Sequence, residues 1–145
     1  MSFALSRKDC QAFLAATHVA VVSVAEEGRG PLTVPVWYRY EPGGEVRIIT
    51  PGTSRKVALL RTAKRMSLCV QEEALPFRYV SVEGPVTIDK PESDADIREM
   101  AHRYAGAQRG QHYLDVSTQE REHEVVIRLR PERWYSADFS PFFAG

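Results

Sequence analysis

Two cysteines in 145 residues, Cys10 and Cys69, lie far apart and outside any CxxC spacing, so the chain offers no disulfide framework and no thiolate metal site. That usage suits a reducing compartment, and the cytoplasm is the expected location. Long apolar runs are missing too, since none approaches the ~18 residues a membrane span needs. The segment from Met1 to Asp9 has no apolar core of the signal-peptide kind, and no such peptide is expected. Neither sign of charge is in excess. Nineteen basic residues balance nineteen acidic ones, which speaks against a dedicated nucleic-acid binder with its usual positive field. His18, His102, His112 and His123 show no HxxxH or Cys/His spacing, so no metal is expected. A GxSxG motif, paired catalytic carboxylates, internal repeats and low-complexity segments are likewise missing.

What is present is an ordinary globular composition. Hydrophobic residues make up 43% and charged residues 26%, enough for one domain over residues 1–145 to bury a core without covalent staples. Ser6-Arg7-Lys8-Asp9 resembles a capping box ahead of the stripe Cys10, Phe13 and Leu14, which predicts a helix over 7–16. Val-rich 18–24 reads as a buried strand, 26–31 as a turn and 32–40 as a second strand. In that second strand Leu32, Val34, Val36, Tyr38 and Tyr40 share one face, while Thr33, Pro35, Trp37 and Arg39 share the other. Pro35 cannot donate to a ladder and therefore marks an edge, bulge or break, leaving amides near Val36 and Tyr38 free for other work.

Further strands are expected over 45–50, 66–71, 78–88 and 124–130, with a short last one after Pro131. Gly84-Pro85 predicts a bulge or sharp bend within the fifth. Helices are expected over 54–65 and from Ser93 onward, whereas 106–122 reads as a loop or short helix. Six or seven strands with short connections and about three helices predict a mainly β (α+β) antiparallel sheet, closed as a small barrel.

The stretch from Ile48 to Val57 carries the chemistry. It runs from an apolar strand through Pro51-Gly52 into Thr53, Ser54, Arg55 and Lys56 at a helix start. Unpaired amides at a helix N-terminus attract anions, and these hydroxyls and cations add donors and charge, so a phosphate site is expected. An ordinary cap with solvated cations is the simpler alternative.

Taken with Pro35-Val36-Trp37-Tyr38, with Gln71 ending a strand and with Arg78-x-Val80-x-Val82-Glu83-Gly84, this stretch resembles the pyridoxamine 5′-phosphate oxidase-like family over about residues 10–138. These are flavin and deazaflavin oxidoreductases with a split β-barrel fold. The resemblance implies that Ser54, Arg55 and Lys56, with Thr53 beside them, hold a cofactor phosphate. It also implies that Pro35, Val36, Trp37 and Tyr38 lie along the ring and that Ile49 and Thr50 touch the ring and ribityl chain. Gln71 would reach the cofactor of the other subunit, so a homodimer is implied. The end from Ser136 to Gly145 runs acidic to apolar where pyridoxamine phosphate oxidases carry a basic tail, which directs the expectation toward the short reductases.

FMN is the first choice of cofactor and F420 the alternative; Arg61, Lys64 and Arg65 are candidates to line a groove for the F420 tail, with a solvated charged helix face as the favoured reading of those three. Hydride exchange with a small planar substrate needs no obligatory acid or base, and no catalytic side chain is assigned. The competing function is a non-catalytic flavin-binding or nucleic-acid-binding barrel.

Overall fold

The computed structural model describes residues 3–91 and 93–143. Ser6 caps the first helix as its pattern implies: its Oγ accepts from the Asp9 amide at 3.1 Å, and α1 (Arg7–Ala15) follows. Seven strands come after it, β1 (Ala20–Val24), β2 (Leu32–Val36), β3 (Val46–Pro51), β4 (Arg65–Gln71), β5 (Arg78–Asp89), β6 (Glu124–Leu129) and β7 (Arg133–Asp138). Helix α2 (Arg55–Ala63) links β3 to β4, and α3 (Asp94–Val116) links β5 to β6. Every pairing is antiparallel, in the order β2-β1-β4-β5-β6-β3, with β7 on β5.

One strand serves both halves of the barrel. The first part of β5 pairs with β4 and β7, and from Val86 onward it pairs with β6. The change of partner falls at Gly84-Pro85, the bend the sequence predicts. There the chain at 130–132 crosses over the strand, with Arg130 N–H donating to Pro85 O and Glu132 N–H to Glu83 O. A Cβ on Gly84 would stand 1.8 Å from the Arg130 carbonyl oxygen, so only glycine fits. Glu83 pairs across the strands with Arg133 at 3.4 Å, as expected of a structural carboxylate.

The ring closes at a single rung, where Arg39 and Arg47 exchange backbone hydrogen bonds of 3.0 and 2.9 Å. Among the described residues the result is an α+β split β-barrel of seven strands and three α-helices. Strand β2 is shorter than its alternating pattern suggests, ending at Val36 rather than Tyr40. Pro35 has no N–H, and the Tyr38 amide donates to the Tyr104 hydroxyl at 3.0 Å, so the ladder lapses before Arg39 resumes it against β3. The Tyr38 amide is therefore not free, contrary to the sequence expectation. The alternation itself persists: Val36, Tyr38 and Tyr40 are buried, while Pro35 is exposed.

Inside the barrel lie Val22, Ile48, Leu68, Val80, Ile127 and Leu129, joined by Leu14 of α1 and by Val57 and Leu60 of α2. Each such side chain contributes about 1.5–3 kcal/mol when fully buried. Tyr38 is buried among them, and its hydroxyl donates to Leu14 O at 2.6 Å.

The segment after residue 106 is helical to Val116, further than its polar composition suggested. Gly106 interrupts α3 with φ 81° and ψ 172°, a backbone conformation that side-chain-bearing residues rarely adopt. Beyond it the helix folds back, so that a Cβ on Gly110 would meet Ala101 O at 2.9 Å.

Candidate active site

A cleft of about 340 Å³ opens where β2 leaves the sheet. Pro35, Val36 and Trp37 line it from β2 and its continuation, and Ile48, Ile49 and Thr50 line it from β3. Lys56 enters from the start of α2, Tyr113 from the folded-back half of α3, and Val19 from the approach to β1. The size falls within the range of small-molecule sites. Six of the eleven residues singled out in the sequence meet here: Pro35, Val36, Trp37, Ile49, Thr50 and Lys56. A larger open groove of about 660 Å³ lies between residues 90–97 and 121–125, but it contains none of them and carries charge of both signs.

The helix start behaves unlike an ordinary cap. Ser54 occupies the N-cap of α2, yet its side chain makes no capping hydrogen bond. Its Oγ is buried and has no partner among the described residues. An unpaired buried hydroxyl costs free energy, and the first amides of a helix lack intrahelical acceptors as well. Lys56 adds a half-buried ammonium in the cleft wall, with no salt bridge among the described residues. Burial alone pushes its pKa below the ordinary lysine value. Lys56 lines the cleft and Ser54 does not, so the helix start presents a cation in the cleft wall with the unpartnered hydroxyl two residues before it in the chain, a donor set whose chemistry suits a phosphate.

The other predicted residues are placed differently. Arg55 is about half exposed and forms an ion pair with Glu26 of the β1–β2 turn. Thr53 is exposed beside Ser54. Tyr38 sends its side chain into the core, so only its backbone lies near the cleft. Gln71 is exposed at the end of β4, opposite Tyr79 on the outer face of the sheet. Cys69 is half-buried on that outer face, away from the cleft lining, and burial pushes its thiol pKa up. Of the basic residues proposed for a tail groove, Arg65 pairs with Glu132 at 2.8 Å, and neither Arg61 nor Lys64 lines the cleft. Among the described residues no group of three or more His, Cys, Asp or Glu side chains is placed to hold a metal ion.

Tyr104 and Tyr113 were not singled out in the sequence as site residues. The Tyr104 hydroxyl lies 2.6 Å from His18 O and 2.9 Å from Tyr38 O, tying the approach to β1 to the end of β2. Its ring stacks parallel on Trp37 with 5.0 Å between centroids, and Tyr113 meets Trp37 at 5.7 Å with a 58° tilt.

Comparison with known proteins gives the family. A family model described as pyridoxamine 5′-phosphate oxidase matches residues 6–138. The chain belongs to that family. Among the family's relatives, an F420H(2)-dependent biliverdin reductase of Mycobacterium tuberculosis is 31% identical over 127 residues, covering 86% of this chain and 83% of that protein. Two solved structures share the fold. The conserved hypothetical protein Rv2991 of Mycobacterium tuberculosis superposes with a TM-score of 0.75 at 20% identity, covering 97% of this chain and 89% of its own. An F420 reductase gives a TM-score of 0.70 at 17% identity, covering 86% and 94%. Among the described residues no helix is long and apolar enough to cross a membrane.

Proposed function

We propose that this chain is an oxidoreductase that binds a deazaflavin or flavin in the β2–β3 cleft and exchanges a hydride with a small planar reactant. The observation that carries the reading is Lys56, a half-buried cation with no salt bridge among the described residues, in the wall of a cleft of mixed polar and apolar lining, with the unpartnered Ser54 Oγ two residues before it at the start of α2. In this reading Ser54, Lys56 and the first amides of α2 hold the phosphate, with Arg55 reaching it from its pairing with Glu26. Pro35, Val36 and Trp37 on one side and Ile49 and Thr50 on the other fix the ring and keep water from it. The bound cofactor supplies hydride transfer, which no side chain can perform. Kinship with an F420H(2)-dependent reductase moves the preference from FMN to F420. FMN is the second reading, since its phosphate would use the same groups.

A homodimer belongs to the proposal. Across the outer face of the sheet, Pro35, Val21, Cys69, Ser81 and Tyr135 stand in register over five strands, and none of them is charged. Val21 and Tyr135 remain exposed on the single chain. An uncharged row of this kind supports pairing with a second copy. Gln71, two residues along β4 from Cys69 on the same face, would then lie at the boundary with the other subunit, in keeping with a reach toward its cofactor.

Titration of the purified chain with F420 and with FMN, followed by fluorescence, tests the reading. One of the two is expected to bind, and R55A/K56A should weaken it by roughly 100-fold or more, the loss of two charge-assisted contacts. Failure of both to bind, or equal affinity in the double variant, rejects the assignment.

A further inference from the structure

Tyr113 has no evident structural reason to stand where it does. It belongs to neither buried cluster, it is 40% exposed, and its hydroxyl makes no hydrogen bond among the described residues. Yet the chain takes unusual steps to bring it to the cleft. Gly106 adopts a left-handed conformation although nothing would crowd a Cβ there, so the backbone angle itself requires glycine. Gly110 then allows the second half of α3 to close on the first, with His102 Cδ2 only 2.8 Å from where a Cβ would sit. A straight α3 would carry Tyr113 about 13 Å along the axis from Tyr104. The folded one lets both tyrosines touch the same Trp37 ring.

The two contacts differ in kind. Tyr104 lies flat on Trp37, and its hydroxyl is committed to backbone, so it backs the indole and holds it in place. Tyr113 meets Trp37 at a tilt, with its hydroxyl uncommitted at the cleft. A tilted aromatic pair with one free phenol forms a notch that accepts the edge of a flat conjugated molecule and offers a hydrogen bond to a polar atom on that edge.

On the basis of the oxidoreductase reading above, we propose that Tyr113 selects the reactant. Its ring and the Trp37 indole frame the entry of a flat conjugated acceptor, and its hydroxyl donates to a carbonyl oxygen of that acceptor. Tyr113 shares the cleft with Lys56 but stands on α3 rather than at the start of α2, so removing its hydroxyl alone leaves the phosphate-binding groups unaltered.

The test uses the full chain loaded with whichever of F420 or FMN it binds. Binding of biliverdin and of menadione is followed by tryptophan fluorescence in wild type, Y113F, Y113A and the exposed neighbour variant H112A. Y113F should weaken at least one of the two ligands about 3- to 10-fold, the range of one neutral hydrogen bond, and Y113A should weaken it further. Cofactor affinity and melting temperature should stay at wild-type values in all variants, and H112A should change nothing. Unchanged ligand affinity in both Tyr113 variants overturns the proposal and leaves the oxidoreductase reading intact. So does loss of cofactor affinity in those variants, or failure of loaded wild type to bind either ligand. A wild type that takes up neither cofactor overturns both.

Discussion

Replacing Tyr104 by Phe removes one oxygen and keeps the ring that stacks on Trp37, so it isolates the hydroxyl that joins α3 to the barrel. That oxygen accepts from Tyr38 N–H at 3.0 Å and has a single proton to give, which goes best to His18 O at 2.6 Å rather than Tyr38 O at 2.9 Å. Y104F leaves the amide and at least one carbonyl unpaired. Each buried polar group deprived of its partner costs about 1–3 kcal/mol, and partial access of water to this half-buried site lowers the sum. We expect a loss of roughly 2–3 kcal/mol. For a chain of this size, 1 kcal/mol moves the melting temperature by about 2–4 °C, so the midpoint should fall by about 5–10 °C. Urea unfolding of wild type and Y104F, fitted with a common slope, measures the difference directly. A loss below ~0.5 kcal/mol would show that water satisfies these groups, and that Tyr104 holds Trp37 by ring contact alone.

Two other outcomes follow from buried charge. Burial lowers the Lys56 pKa, so the folded chain holds that proton less readily than the unfolded one, a cost present at neutral pH that fades as pH rises through the folded value. K56M should therefore melt no lower than wild type at pH 7 while its cofactor affinity drops, and a lower melting temperature would contradict the account. Glu124 is raised above its ordinary value of 4.5 by burial, with Arg121 opposing, and its Oε2 lacks a partner among the described residues. Its contribution is fully present below that ordinary value and is lost as pH rises through the folded one. E124Q should then be more stable than wild type at pH 7, with the gain shrinking toward pH 4. A constant difference across that range would refute it.

The parts of the fold legible in the sequence were those governed by neighbours along the chain. Alternation put Val36, Tyr38 and Tyr40 on one face and all three are buried, the Ser6 cap opened α1, and Gly84-Pro85 marked the place where β5 changes partners. The cleft walls at Pro35, Val36, Trp37, Ile49 and Thr50 were legible through the family resemblance, with the missing N–H of Pro35 as the local sign that β2 leaves its ladder. What escaped notice depends on distant partners. Arg55 meets Glu26 across twenty-nine residues, and the Tyr38 amide meets Tyr104 across sixty-six. No local pattern encodes either. Tyr113 was missed for a different reason: Gly106 and Gly110 break the apolar spacing of the second half of α3, so the segment reads as polar loop. Two glycines bracketing a short polar run before a tyrosine were the available sign of a helix doubled back on itself.

The rung at Arg39 and Arg47 has a bearing on how the empty and loaded chains move. A cylinder laced shut by one pair of residues parts there first, and Trp37 and Ile49 stand two residues beyond that lacing on its two strands, both toward the cleft. Local opening takes the least-tied segment of a fold, so breathing of this seam and widening of the mouth are one motion. A molecule lodged between those two strands would work as a clasp, quieting the barrel at the place where it gives most easily.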